Sequence, residues 1–250
     1  MERIKRIRGW AYTAALAAVF FYLISNMELW RVGLTLIFPQ ESEVIYPRAQ
    51  LLQLLREHLV LVMVSSFAAS VIGIAVGVFA TRQAGRDYLH IINDLSSLAQ
   101  TVPPVAVLAL AVPFIGFGFK PTVLALFLYS ILPVLRNTIS GIESVSPKLI
   151  EAASGIGMRR FQILLHVELP LSIKVIMAGI RTSVVINVGT ATVGAVVGAG
   201  GLGVPIISGL VRENPAFVLE GAIAAALLAF TFDQILAQVE SALFKGYGTE

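Results

Sequence analysis

The chain has 250 residues, 57% of them hydrophobic and only 13% charged, with a mean hydropathy of +0.85. Soluble domains carry about 25% charged and about 45–50% apolar residues, so a freely soluble enzyme is excluded and an all-α integral membrane protein is expected. Cysteine is absent, which removes disulfides and thiolate metal sites; the net charge of +3 is dispersed among apolar segments, which argues against nucleic acid as a partner.

At roughly 20 residues per span, six transmembrane helices are expected in one domain covering residues 1–250. Residues 10–26 follow the basic flank MERIKRIRGW and end Phe20-Phe21-Tyr22-Leu23-Ile24-Ser25-Asn26, with no small-x-small cleavage site, so the first run is expected to be a retained span. Residues 28–58 mix Glu28, Arg31, Glu41, Glu43, Arg48 and Glu57 with apolar positions and are expected to lie along the outer membrane surface, a buried role being the weaker alternative. Further spans are expected at 59–80, 91–112, 121–142, 175–197 and 215–237. The third should break at 101–104, because proline lacks an amide donor and crowds the preceding turn. Broken membrane helices persist where they line a cavity or pack on protein. Gln100, Thr101 and Pro103 at that break, with Asn187, Thr190 and Thr192 in the fifth span, are candidates for a translocation path. Small-residue packing between helices is the alternative for the stretch around 189–191.

Twelve of the 18 Lys and Arg residues fall on the side of the amino terminus, five on the other and Arg181 inside a span. The positive-inside bias places both termini in the cytoplasm. Asp94, Arg136, Arg181 and Asp233 then lie in the cytoplasmic third of their spans. They can pair across helices or snorkel to the headgroups; Arg181 and Asp233 are the candidates for charges that brace an inner gate.

Residues 146–170, SPKLIEAASGIGMRRFQILLHVELP, form a cytoplasmic connection longer than reconnecting two helices requires. Ser146 and Pro147 suit a helix cap and first turn, and Leu149, Ile150, Ala152 and Ala153 give an apolar face. Gly155 and Gly157 should break the helix. Phe161, Leu164, Leu165 and Glu168 then recur at helical spacing, and Pro170 ends the run or begins the next turn. The expected product is two short helices at an angle. They can rest on anionic lipid through Arg159 and Arg160, or enter a groove on a soluble partner.

Glu151-Ala152-Ala153, three residues, Gly157, nine residues, then Val167-x-Leu169-Pro170 resembles the EAA loop of ABC importer permeases, whose pattern is EAA-x3-G-x9-I-x-LP; valine for isoleucine is the one departure. The resemblance implies the type I ABC importer permease fold, with Glu151, Ala152, Ala153, Gly157, Leu169 and Pro170 in a coupling helix seated in a cleft of the ATPase. Gln100-Thr101-Val102-Pro103-Pro104, Gly179-Ile180-Arg181-Thr182 and the glycine-rich run from Asn187 to Gly203 are similar to permeases for glycine betaine, choline and related osmoprotectants. The likeness covers about residues 55–240, leaving 1–50 as an N-terminal span and interfacial segment. It implies a bacterial or archaeal inner-membrane subunit that works with two ABC ATPase subunits, a second permease copy or homologous permease, and a periplasmic or lipid-anchored substrate-binding protein. No cofactor is expected on this chain, ATP and Mg belonging to the ATPase.

Gly198-x-Gly200-x-x-Gly203 satisfies the dinucleotide fingerprint in letters, but a Rossmann glycine loop must follow a buried strand in a soluble βαβ unit. Here it follows a membrane span, and a tight turn at the outer membrane edge is the better reading. There is no Walker GxxxxGK[ST], no HExxH and no GxSxG, and His58, His90 and His166 lack ligand spacing. Trp10 and Trp30 are the only tryptophans, too few for an aromatic cage around a quaternary ammonium, so substrate selection is not expected on this chain, and the resemblance implies that it resides on an external binding protein. A permease for methionine or a phosphonate, a membrane enzyme and a passive channel remain as alternative readings.

Overall fold

The computed structural model describes residues 2–243, with side chains at all of these except 2–8, 93, 96, 99, 100 and 243. The helices are α1 (Glu2–Ser25), α2 (Met27–Ile37), α3 (Leu51–Thr81), α4 (Leu89–Thr101), α5 (Pro104–Ile115), α6 (Phe119–Glu143), α7 (Pro147–Gly155), α8 (Arg160–Ile163), α9 (Leu169–Thr190), α10 (Gly203–Arg212) and α11 (Pro215–Leu243). No strand occurs among the described residues. Four helical stretches are long and apolar enough to cross a membrane, Leu51–Thr81, Phe119–Glu143, Arg160–Val197 and Pro215–Ala242; the bent pair Gly9–Ser25 and Met27–Ile37 reaches that length and hydropathy only when the two helices are taken together. The protein is a multi-pass membrane protein of the expected all-α class.

The expected third span is two helices, α4 and α5, separated by Val102 and Pro103 in extended conformations. At ~1.5 Å per residue each is only about 20 Å long, short of the roughly 30 Å hydrocarbon thickness. Pro104 occupies the first turn of α5, where a missing amide donor costs nothing.

Residues 28–58 do not simply lie on the surface. The chain turns 77° between α1 and α2. Asn26 Oδ1 accepts the Leu29 amide at 3.4 Å and Trp30 Nε1 donates to Leu23 O at 2.8 Å, fixing the bend. Trp30 and Leu34, four apart on one face of α2, are buried in the main core with Val44, Tyr46, Phe217, Ala224 and Leu228. The opposite face, with Val32 and Leu36, is exposed. The second span begins at Leu51 rather than 59, since the charges that marked a boundary, Glu57 and its neighbours, lie within a helix that buries Leu51, Leu54 and Leu55.

α6 sits between α3 and α9 through seams of small residues. A Cβ on Gly73 would lie 3.0 Å from Val134 Cβ, and one on Gly77 2.7 Å from Thr138 Cβ. On the other side Gly141 faces Ser172, and a Cβ on Gly179 would stand 2.7 Å from both Asn137 Cβ and Pro133 O. Such close approach is how membrane helices gain dispersion energy where lipid offers no hydrophobic drive. Gly179→Leu is expected to destabilise the fold by about 1–3 kcal/mol, the usual cost of overpacking. Gly33→Ala, whose Cβ meets nothing within 4 Å on exposed α2, should be neutral or stabilising by up to about 1 kcal/mol. Unfolding midpoints of the detergent-solubilised variants check both.

Candidate functional site

The segment expected as two angled helices begins as expected and ends differently. Pro147–Gly155 is helical, Gly157 takes φ +88°, and the chain re-enters helix at Arg160. That left-handed φ is open to glycine without the Cβ penalty, which accounts for the glycine at the motif's fixed position. Ser146 stands at the cap position, but its side chain makes no cap hydrogen bond. The second helix is not a separate piece: α8, a π-helical stretch Leu164–Glu168 and α9 run on as one helix from Arg160 to Val197. Pro170 therefore does not end the run. Leu169 N–H bonds to Leu164 O, five residues back, and this widened winding gives room for the proline ring, which would crowd the carbonyl four residues before it.

Glu151 and Ala152 are exposed on α7, and Ala153 is its one buried residue. Leu169 and Pro170 are half-buried at the start of α9. Around the glycine bend, Ile156 is 81% and Phe161 68% exposed, with Leu149 and Leu165 also open. Behind α7 lies a cavity of about 820 Å3 lined by Thr81, Arg82, Ile150, Ser154, Phe161 and Leu164 among others.

Two side-chain contacts hold this element to the end of α3. Arg82 Nη1 lies 2.7 Å from Glu168 Oε2, and Arg160 Nη1 donates to Gln83 Oε1 at 2.8 Å. Glu168 is buried, 7% exposed, whereas the Arg82 side chain keeps 31% of its surface. Sequence reading counted Arg82 only as a topology charge and Glu168 only as a periodic position. The available signal was an acid alone in the apolar run LLHVELP, which must find a cation or a donor once buried.

Deeper along the bundle, Arg181 and Asp233 meet as a two-pronged pair, Nε to Oδ1 at 2.7 Å and Nη2 to Oδ2 at 2.8 Å, with Glu240 Oε2 3.6 Å from Nη1. A cavity of about 440 Å3 opens beside them, lined also by Ala178, Thr182, Val185 and Ile186. The planar guanidinium matches a carboxylate with two parallel bonds, which fixes the relative rotation of α9 and α11. Arg136 instead donates to Ser97 Oγ at 2.6 Å, and Asp94 is exposed.

The residues named for a translocation path are not gathered at one site. Asn187 is fully buried between α9 and α3, donating from Nδ2 to Ser66 Oγ at 2.9 Å and Ser65 Oγ at 3.1 Å. It is a helix-to-helix clamp within this chain, because a buried amide takes the nearest acceptors. Thr101 is exposed and bonds back to Leu98 O at 2.8 Å; Thr192 bonds back to Gly189 O at 2.7 Å; Thr190 is half-buried. Pro103 caps α5, and the Gln100 side chain lies outside the described residues.

The far end of the bundle is held by polar groups that sequence reading left unassigned. Glu220, 1% exposed, accepts the Tyr46 amide at 2.8 Å, and Asn214 donates to Glu43 O at 2.8 Å while capping the Phe217 amide at 3.1 Å. Glu57 and His58 reach the glycine turn before α10.

Residues 52–245 match the family described as the binding-protein-dependent transport system inner membrane component. The chain belongs to this permease family. Over 234 residues, 94% of this chain and 93% of the relative, the permease is 37% identical to the osmoprotectant import permease protein OsmY of Salmonella typhimurium. It is 42% identical over 70% of its length to the carnitine transport permease protein OpuCB of Listeria monocytogenes, covering 81% of that protein. The choline transport system permease protein OpuBB of Bacillus subtilis is 38% identical over 75% of this chain and 85% of the relative. In fold, the permease matches the MetNI methionine ABC transporter in an inward-facing conformation with a TM-score of 0.68 and 22% identity, over 75% of this chain and 93% of the other. The type I importer fold expected from the EAA pattern is thus observed.

Removing Arg82 and removing Glu168 should not cost the same. Arg82→Ala strands a buried carboxylate and is expected to destabilise the permease by about 3 kcal/mol; Glu168→Ala leaves a half-exposed guanidinium that water can solvate, at about 1 kcal/mol. Denaturation of both single variants and of the reversed pair Arg82→Glu/Glu168→Arg, in which recovery is expected, measures the difference.

Proposed function

We propose that the permease carries a quaternary-ammonium osmoprotectant, such as glycine betaine, choline or carnitine, inward across the cytoplasmic membrane by ATP-driven alternating access. The observation that carries the coupling role is the exposed α7 with Glu151, Gly157 and the exposed apolar side chains of Ile156 and Phe161, next to the start of one unbroken helix that enters the bundle. Helix-in-groove docking needs such apolar anchors ringed by polar groups. Two ATPase subunits, which bind the ATP and Mg, receive this element from the cytoplasm, where both termini also lie. A second permease copy or a homologous permease completes the path, and an external binding protein delivers the solute and selects it. The names of the relatives, which include carnitine, choline and osmoprotectant permeases, support the solute class. The two tryptophans of the chain, Trp10 and Trp30, lie on α1 and α2 and offer no cage for an ammonium group.

In this reading Arg181, Asp233 and Glu240 brace the inner end of α9 against α11. The cavity beside them supports a place near the path, and Thr101, Thr190 and Thr192 are candidates for lining it once a second subunit is present.

Glu151→Lys and Ile156→Asp are each expected to weaken co-purification with the ATPase by at least about tenfold, the scale of a central interface residue lost, while the isolated permease folds normally. Normal assembly and uptake in both variants would remove the coupling role. In proteoliposomes with all subunits, labelled glycine betaine, choline and carnitine are expected to enter with ATP; entry of methionine alone would replace the solute class. Arg181→Asp and Asp233→Arg should each lower uptake by more than about tenfold, and the double exchange should recover part of it, since close charge pairs couple by roughly 1.5 kcal/mol or more. An exchange without recovery would argue against a functional pair.

A further inference from the structure

Two neighbouring side chains on α3, Glu57 and His58, hold the glycine turn that follows the fifth span, and their chemistry is specific. The Gly201 amide donates to Glu57 Oε2 at 3.0 Å, and the Leu202 amide donates to His58 Nδ1 at 3.3 Å. The second ring nitrogen, Nε2, stands 2.9 Å from Val188 O. A nitrogen that accepts an amide proton carries none itself, so Nε2 carries the proton and donates it to the Val188 carbonyl. The imidazole, with no solvent exposure, is therefore bonded to backbone at both ends, to α9 on one side and to the turn before α10 on the other.

The glycines of the false dinucleotide fingerprint fit this arrangement. Gly200 and Gly201 take φ of +81° and +82°; a Cβ on Gly200 would collide with the Glu57 carboxylate, and one on Gly201 would come to 3.0 Å from His58 Nδ1. Only a backbone without side chains both turns this way and approaches these two groups so closely.

Val188 belongs to the same unbroken helix, Arg160–Val197, whose other end is the coupling segment. From Ile163 to Val188 the helix spans about 38 Å, with its hydrogen bonds internal. A displacement at the coupling end that is not absorbed by bending reaches the Val188 carbonyl. Since His58 rides on α3, motion of α9 along or away from α3 strains one of the two imidazole bonds. The Leu202 amide opens α10, which carries Leu210 and Val211 exposed at the outer end.

We propose that His58 is a positioning residue for transport: its two-ended imidazole holds the glycine turn and α10 in place while α9 rests against α3, and lets them go when the coupling segment shifts α9. This rests on the coupling role proposed for α7.

The complete transporter, purified with its ATPase and set in lipid nanodiscs, provides the test. Amide hydrogen exchange over residues 198–204 is compared without nucleotide and with ATP trapped by vanadate. Exchange at Gly201 and Leu202 is expected to quicken by about tenfold or more on trapping, in the range of ordinary coupling between sites. His58→Leu should exchange fast in both states and lose uptake to a similar degree, with basal ATP hydrolysis within about twofold of normal; His58→Gln, which keeps a donor and an acceptor, should restore part of both. Equal exchange in the two states of the unaltered protein, or normal uptake in His58→Leu, overturns the proposal. So does an equal loss in the Leu and Gln variants, which marks packing alone. If His58→Leu does not assemble, the comparison on the unaltered protein decides. Failure to co-purify with any ATPase removes the coupling reading itself, whereas co-purification with unchanged exchange removes only the role of His58.

Discussion

α6 can lie between α3 and α9 only because the residues along its two seams are small. Gly73 and Gly77 admit it on one side, Gly141 and Gly179 on the other, and each stands where a larger residue would meet backbone or Cβ atoms. In lipid no water is available to pair stray polar groups, so hydroxyls at these depths turn back on their own helices. Thr138 bonds Val134 O, Ser172 bonds Glu168 O and Thr231 bonds Leu227 O. Three helices packed this tightly move as bodies, and the direction in which α9 leaves the bundle is set by its neighbours rather than by the loop that follows it.

The charged and polar side chains divide by what they hold. At the end beside α7, Arg82 with Glu168 and Arg160 with Gln83 join side chain to side chain. At the far end, Glu220, Asn214, Glu57 and His58 grip main-chain amides and carbonyls, and a side chain that satisfies a buried amide is expensive to withdraw. Between the two lies the Arg181–Asp233 pair, half-exposed and facing a cavity.

Much of this was legible in the residues. Spacing alone singled out residues 146–170, and opposite charges at one depth anticipated the meeting of Arg181 and Asp233. The proline break at 101–104 was readable because proline has no amide to give. What escaped was long-range partnership. Glu57 and His58 looked like the polar edge of a span because their partners are backbone amides about 144 residues away, and main-chain donors leave no letter in a sequence. Asn187 looked like a lining residue for the same reason: its partners, Ser65 and Ser66, are small residues common in any packed helix. The interfacial reading of residues 28–58 failed on a subtler point, since an amphipathic pattern says that one face is apolar but not whether lipid or α11 covers it.

The π-helical stretch at Leu164–Glu168 sets an angular phase. An α-helix turns about 100° per residue, so the single extra residue accommodated there rotates everything upstream relative to α9 by that amount. Glu168 faces Arg82, and Phe161 lines the cavity beside that pair while most of its ring stays exposed. A chain one residue shorter in this stretch could keep every residue of the EAA pattern and still aim it at the wrong quarter of the circle. The fixed spacing between Gly157 and Pro170 is, on this view, a statement about direction as much as about distance.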